Sequence, residues 1–162
     1  MYKKYHMNKN HQLLVSALVT GTVASIVSSA SLAALAKIEG KSAAQPTNST
    51  SHWLHGDSAA EFEGVDLSHT GLGAVTHQSS ALFWALPFEA WLAYHRPRSR
   101  IELLGRAASM SLVAGIVDYG ITPRRLTPGW ELTLSSKSMV AAFASLALGL
   151  ATGHVVARRI KP

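Results

Sequence analysis

Four apolar blocks separated by polar stretches set the organisation of this chain. Residues 13–36, LLVSALVTGTVASIVSSASLAALA, hold no charged side chain, and about 20 apolar residues are enough for a helix to cross a bilayer. The second block, residues 71–94, is apolar apart from His77, Gln78 and Glu89, and it grows rich in aromatic residues towards its end: Phe83, Trp84, Phe88, Trp91 and Tyr94. That aromatic composition suits a membrane interface. Pro87 lies inside the block, and its missing N–H predicts a kink. The third block, residues 103–121, is interrupted by Arg106 and Asp118. It spans only if Arg106 snorkels to one surface and Asp118 sits near the other. The fourth, residues 138–157, carries His154 as its one ionisable group.

The pattern predicts an all-α fold, an integral membrane bundle of four transmembrane helices. A tail (1–12) precedes the first span and a loop (37–70) follows it. A basic loop (95–102) joins spans two and three, a further loop (122–137) leads to span four, and residues 158–162 close the chain. The first span has a rival reading as a secretory signal, with Lys3, Lys4 and Lys9 as the basic region, although its uncharged stretch exceeds the usual ~7–15 residues.

Charge orients the bundle. Of the 15 Lys and Arg residues, ten flank one side: Lys3, Lys4, Lys9, Arg96, Arg98, Arg100, Arg106, Arg158, Arg159 and Lys161. Lys37, Lys41, Arg124, Arg125 and Lys137 flank the other. The positive-inside rule therefore places both termini in the cytoplasm, N-in/C-in, with the inner membrane of a bacterium as the expected location. The formal net charge of +6 is spread over block ends rather than gathered on one patch, so nucleic acid is not an expected partner. The lipid bilayer is, together with a membrane-protein partner or a second copy of the chain. With no cysteine, disulfides, thiolate metal sites and a Cys nucleophile are excluded.

Small residues recur every four positions in two spans: Ala17, Gly21, Ser25, Ser29 and Ala33 in the first, Ala141, Ser145, Gly149, Gly153 and Ala157 in the last. Such stripes let backbones approach closely where lipid supplies no hydrophobic drive. The long external loop reads as a flexible KSAAQPTNSTS stretch followed by an acidic, His-rich segment, in which Trp53, Leu54, Phe62 and Val65 offer an apolar side to the membrane. Asn48-Ser49-Thr50 matches a glycosylation sequon and is taken as chance in a bacterial chain. Arg124 and Arg125 are expected to pair with the acidic loop through Asp57, Glu61 or Asp66.

Two polar groups carry the candidate chemistry. Outside, His52, His55, Asp57, Glu61, His69, His77 and Asp118 share one end of the bundle. Counted along their spans His77 and Asp118 fall at similar depth, which predicts a hydrogen bond fastening two helices. His52, His55, His69 and His77 are the candidate metal ligands, since neutral imidazole ligates divalent ions, but their spacing matches no defined motif, and no cofactor is predicted beyond that option of a divalent metal. On the cytoplasmic side Glu89 and His154 fall at matched depth, with His95 and Arg158 close by, and a Glu89 pair with His154 or Arg158 is the simplest arrangement.

The runs SHWLHGD, HTGLGAVTHQSSALFWALPFE and VDYGITPRRLTPGWE resemble a family of small, uncharacterised four-span bacterial inner-membrane proteins, over roughly residues 48–157. The resemblance implies a four-span architecture and draws attention to His52, Gly56, Asp57, His77, Asp118 and Pro128; it implies no activity. Where that family often has two adjacent histidines, this chain has His77 and Gln78. Three functions compete: an accessory or structural membrane component, a small transporter or proton- or ion-handling protein, and a metal-dependent membrane enzyme.

Overall fold

A computed structural model describes residues 8–160; the basic residues Lys3, Lys4 and Lys161 lie outside it. The described residues are all-α, with six α-helices: α1 (Lys9–Ile38), α2 (Gln45–Ser49), α3 (His52–His55), α4 (Leu72–Tyr94), α5 (Arg100–Gly120) and α6 (Ser136–Ile160). The four long ones coincide with the four apolar blocks. Among the described residues two, α1 and α6, are long and apolar enough to cross a membrane. The expectation of four is thus met in part. Arg100, Glu102, Arg106 and Asp118 lower the apolarity of α5, and His77, Gln78, Pro87 and Glu89 that of α4.

The helix ends follow from local chemistry. Asn8 caps α1, and Ser99 caps α5 by accepting the Glu102 N–H at 3.1 Å. The Glu102 carboxylate reaches back to the Arg98 N–H at 2.7 Å, which closes a near capping box. Helix α4 runs unbroken through Pro87.

Helix α1 is central. It packs against α4 on one side and α6 on the other, α5 leans on α6, and α4 and α5 touch little. Contacts such as Ser28 with His77 and Thr20 with Glu89 run antiparallel along α1 and α4. The up-down-up-down path puts the two long connections at one end. Glycines set the spacing: a Cβ on Gly149 would lie 2.7 Å from the Ala24 Cα, and one on Gly153 equally close to the Thr20 Cα. The expected stripe on α6 is buried at Ser145, Gly149, Gly153 and Ala157, while Ala141 at its start faces out.

Large side chains of all four long helices face outwards. Leu18 and Ile26 on α1, Val75 and Phe83 on α4, Leu112 and Ile116 on α5, and Val140 and Leu148 on α6 are each more than half exposed. The buried interior meanwhile holds Ser16, Thr20, Ser25, Ser28, His77, Glu89, Ser111, Ser145 and His154.

The two long connections fold on each other as a cap. The stretch expected to be flexible is buried and helical: Asn48 is fully enclosed, its amide N–H groups donate to the carbonyls of Phe62 (2.7 Å) and Gly64 (3.0 Å), and its Oδ1 accepts from Thr70 (2.6 Å). Its short polar side chains look flexible in sequence because their carbonyl and hydroxyl partners lie far along the chain. Gly129, at φ +78°, turns where a side chain would strike the Ser49 carbonyl. Glu39, just past α1, accepts from the Ser135 and Ser138 hydroxyls and fixes the start of α6.

Candidate functional site

The external polar residues do not form one cluster; the cap divides them among three local sites. His52 is buried, with Nε2 2.9 Å from the Thr127 carbonyl and Nδ1 3.8 Å from Asp57. Asp57 also meets Arg124 at 3.3 Å, while Arg125 donates to the Trp53 carbonyl at 2.9 Å. Arg124 thus pairs with Asp57, one of the three acidic residues proposed from the sequence, and Arg125 uses a backbone oxygen instead. Glu61 is exposed.

His55 and His69 make the second site. Their rings meet tilted, 4.4 Å between centres, Phe62 stacks on His69 at 4.5 Å, and His55 Nε2 lies 3.1 Å from the Ser68 carbonyl. Asp66 holds the turn that leads into α4: its carboxylate accepts from the His69 N–H at 2.6 Å and meets His69 Nδ1 at 3.0 Å. Those bonds, the His69 side chain first and its backbone N–H next, keep the Asp66 carboxyl below the ordinary carboxylate range. Phe62 turns inwards with Trp53, so the apolar side once expected to face the membrane is reduced to Leu54 and Val65, which stay exposed.

The third site is a cavity of about 370 Å³ under the cap, where α4 and α5 stand apart. Leu92, Leu103 and Ala107 join these helices near their connecting turn. Towards the cap the bulk of Trp84, Trp130 and Phe143 keeps them separate. His77 lines the cavity but bonds to α1, with Nε2 2.9 Å from the Ser28 hydroxyl. Asp118 lines it too. The expected Asp118–His77 bond is therefore replaced by a His77–Ser28 bond, and both residues face one shared space. Trp130 packs on His77 and on Phe143, each at 5.6 Å between ring centres. Trp53 donates to Thr76 at 3.2 Å, whereas the indole N–H groups of Trp84 and Trp130 are enclosed, that of Trp84 directed at Asp118.

At the opposite end lies a second network, in which His154 bonds through Nδ1 while its Nε2 is buried without a partner. His154 Nδ1 sits 2.9 and 3.1 Å from the two Glu89 oxygens, and the Thr20 hydroxyl donates to Glu89 at 2.6 Å. Three helices, α1, α4 and α6, are tied at this one carboxylate. Gly153 makes it possible, because α6 can approach Thr20 only where the residue before His154 has no side chain. Neither His95 nor Arg158 joins: both are exposed, and His95 offers only its carbonyl, to Arg106.

Among the described residues no three His, Asp or Glu side chains converge in a way that could hold a metal ion. The expected Glu89–His154 and Arg124–Asp57 pairs are present, whereas the α1 partners of His77 and Glu89 are not among the expected residues. Ser28 and Thr20, the partners of His77 and Glu89, are uncharged residues within an apolar helix; their position one residue from the small-residue stripe was the available signal. Trp84 is among the residues whose composition suits an interface, and nothing local marks it or Trp130 as a cavity wall. Comparison with protein families, with curated proteins and with solved structures finds no match for this chain.

Proposed function

We propose that the chain is a four-span integral membrane protein, with both termini in the cytoplasm of a bacterial cell, that serves as a small accessory component of the inner membrane. One observation carries this: on all four long helices large apolar side chains face out while hydroxyls, imidazoles and a carboxylate face in. In water each such Leu, Ile, Val or Phe left exposed forfeits about 1.5–3 kcal/mol, and an apolar belt over every helix would be an aggregation surface. In hydrocarbon the same arrangement is the stable one, because lipid solvates the outer face and polar groups find partners only inside. It applies equally to α4 and α5, which turn Val75, Phe83, Leu112 and Ile116 outwards.

An accessory role fits the packing better than a conduit. Between the His77–Ser28 layer and the Glu89–Thr20 layer, Ala24, Ala85 and Phe88 are fully buried, and Gly149 brings α6 onto the α1 backbone. Eight residues of α1 separate Ser28 from Thr20, about 12 Å of rise filled by close-packed small side chains. One observation favours the second reading, proton or ion handling: Glu89 and His154 are ionisable groups held inside the bundle.

Alkaline carbonate extraction of membranes from cells expressing the chain tests the first reading. Retention in the pellet is expected, and release to the supernatant contradicts it. Proton flux in proteoliposomes that disappears in Glu89→Gln would replace the accessory role with the conduit.

A further inference from the structure

The cavity between α4 and α5 combines features that no packing role uses. Its wall carries three of the chain's four tryptophans, Trp53, Trp84 and Trp130, together with Phe143. Asp118 faces the same space. No lysine or arginine lines it, and the ion pairs among the described residues leave Asp118 out. The nearby arginines are engaged elsewhere, Arg124 with Asp57 and Arg125 with the Trp53 carbonyl. Trp84 and Trp130 are 7% and 4% exposed, with their indole N–H groups enclosed and that of Trp84 directed at Asp118.

From these observations we infer that the cavity binds an organic cation, an amine or quaternary ammonium. The carboxylate of Asp118 supplies the compensating charge. The aromatic wall attracts the weakly hydrated cation through its ring quadrupoles and shields it from water. A volume of about 370 Å³ suits a small amino alcohol or the head of a larger amphiphile. A simple metal ion is a poor fit, because Asp118 is the one carboxylate of the lining and the imidazole of His77 is turned to Ser28. The inference goes beyond the membrane reading and does not depend on how many helices cross the bilayer.

The test uses the full chain in detergent, with choline as the probe and 3,3-dimethylbutan-1-ol as a control of the same shape without the charge. Tryptophan fluorescence is the readout in a Trp91→Phe background, since Trp91 sits outside the cavity beside Arg106. Choline is expected to give a saturable change, with the uncharged control binding at least about tenfold more weakly. In Asp118→Asn that preference should vanish while the melting temperature is unchanged, which separates loss of the site from loss of the fold. In Trp130→Phe choline should weaken although Asp118 is intact. Equal binding of the two probes, choline binding untouched by Asp118→Asn, or no saturable response to choline would each overturn the proposal.

Discussion

Helix α4 contributes to two polar sites that resolve in opposite ways. Near its end Glu89 is met from both sides, by Thr20 of α1 and His154 of α6, at hydrogen-bond distances of 2.6 to 3.1 Å. Near its start His77 finds Ser28, but Asp118, Trp84 and Trp130 face a cavity. The neighbours make the difference. Around Glu89 the contacts of α1 with α6 pass through Gly149 and Gly153, so the helices close until every carboxylate oxygen has a donor. Around Asp118 the walls are indole and phenyl rings, and α5 is held away from α4. A buried polar group with all its partners fixes a structure, whereas one that lacks them in a space large enough for a ligand is available for binding.

If that contrast is right, four changes should have effects that fall in a definite order. Gly149→Leu should be the most damaging, because the new side chain would grow from a point 2.7 Å from the Ala24 backbone; loss of monodisperse protein in size-exclusion chromatography would show it. Glu89→Ala follows, leaving Thr20 and His154 buried without their acceptor, at a cost of about 3 kcal/mol. Thermal unfolding in detergent measures it, and a change below about 1 kcal/mol would break the contrast.

Acid should loosen the cap before the bundle. Asp66 has its carboxyl held below the ordinary value, so its contribution is fully present above about pH 4 and is lost as pH falls through the lower folded-state value. Glu39 is lowered in the same sense, first by the Ser135 and Ser138 hydroxyls. Hydrogen exchange in Leu67–Gly71 should therefore accelerate below about pH 4 while α1 and α6 stay protected, and Asp66→Asn should flatten that dependence. Asp118→Asn comes last, with stability unchanged within about 0.5 kcal/mol because no ion pair is lost and an amide oxygen can still accept from the Trp84 indole. A large loss there would mean that Asp118 is structural after all.

The long elements were legible because their signal is local. Uncharged runs marked α1 and α6, and Glu89 and His154 could be matched by depth since both lie on regular helices of known rise. The cap was not. Asn48 looked like part of a mobile linker because its partners, Phe62, Gly64 and Thr70, lie 14 to 22 residues away and offer mainly backbone atoms, which no side-chain pattern announces. The histidines His52, His55, His69 and His77 share one end of the molecule, yet each has its own acceptor or stacking partner. Proximity along the sequence says nothing about how a folded loop divides them. The cavity was the hardest to read, since it arises from the separation of α4 and α5 rather than from any motif.

Cysteine labelling tests the four-span account most directly, because the chain has no cysteine of its own. Single variants Ser58→Cys in the cap, His95→Cys between α4 and α5, and Ser136→Cys at the start of α6 occupy exposed positions. In cells with an opened outer envelope and an intact inner membrane, a membrane-impermeant maleimide should label positions 58 and 136 at once, and position 95 only after the inner membrane is permeabilised. Equal labelling of position 95 with the other two would put both ends of α4 and α5 on one side, leave α1 and α6 as the only crossings, and contradict the account.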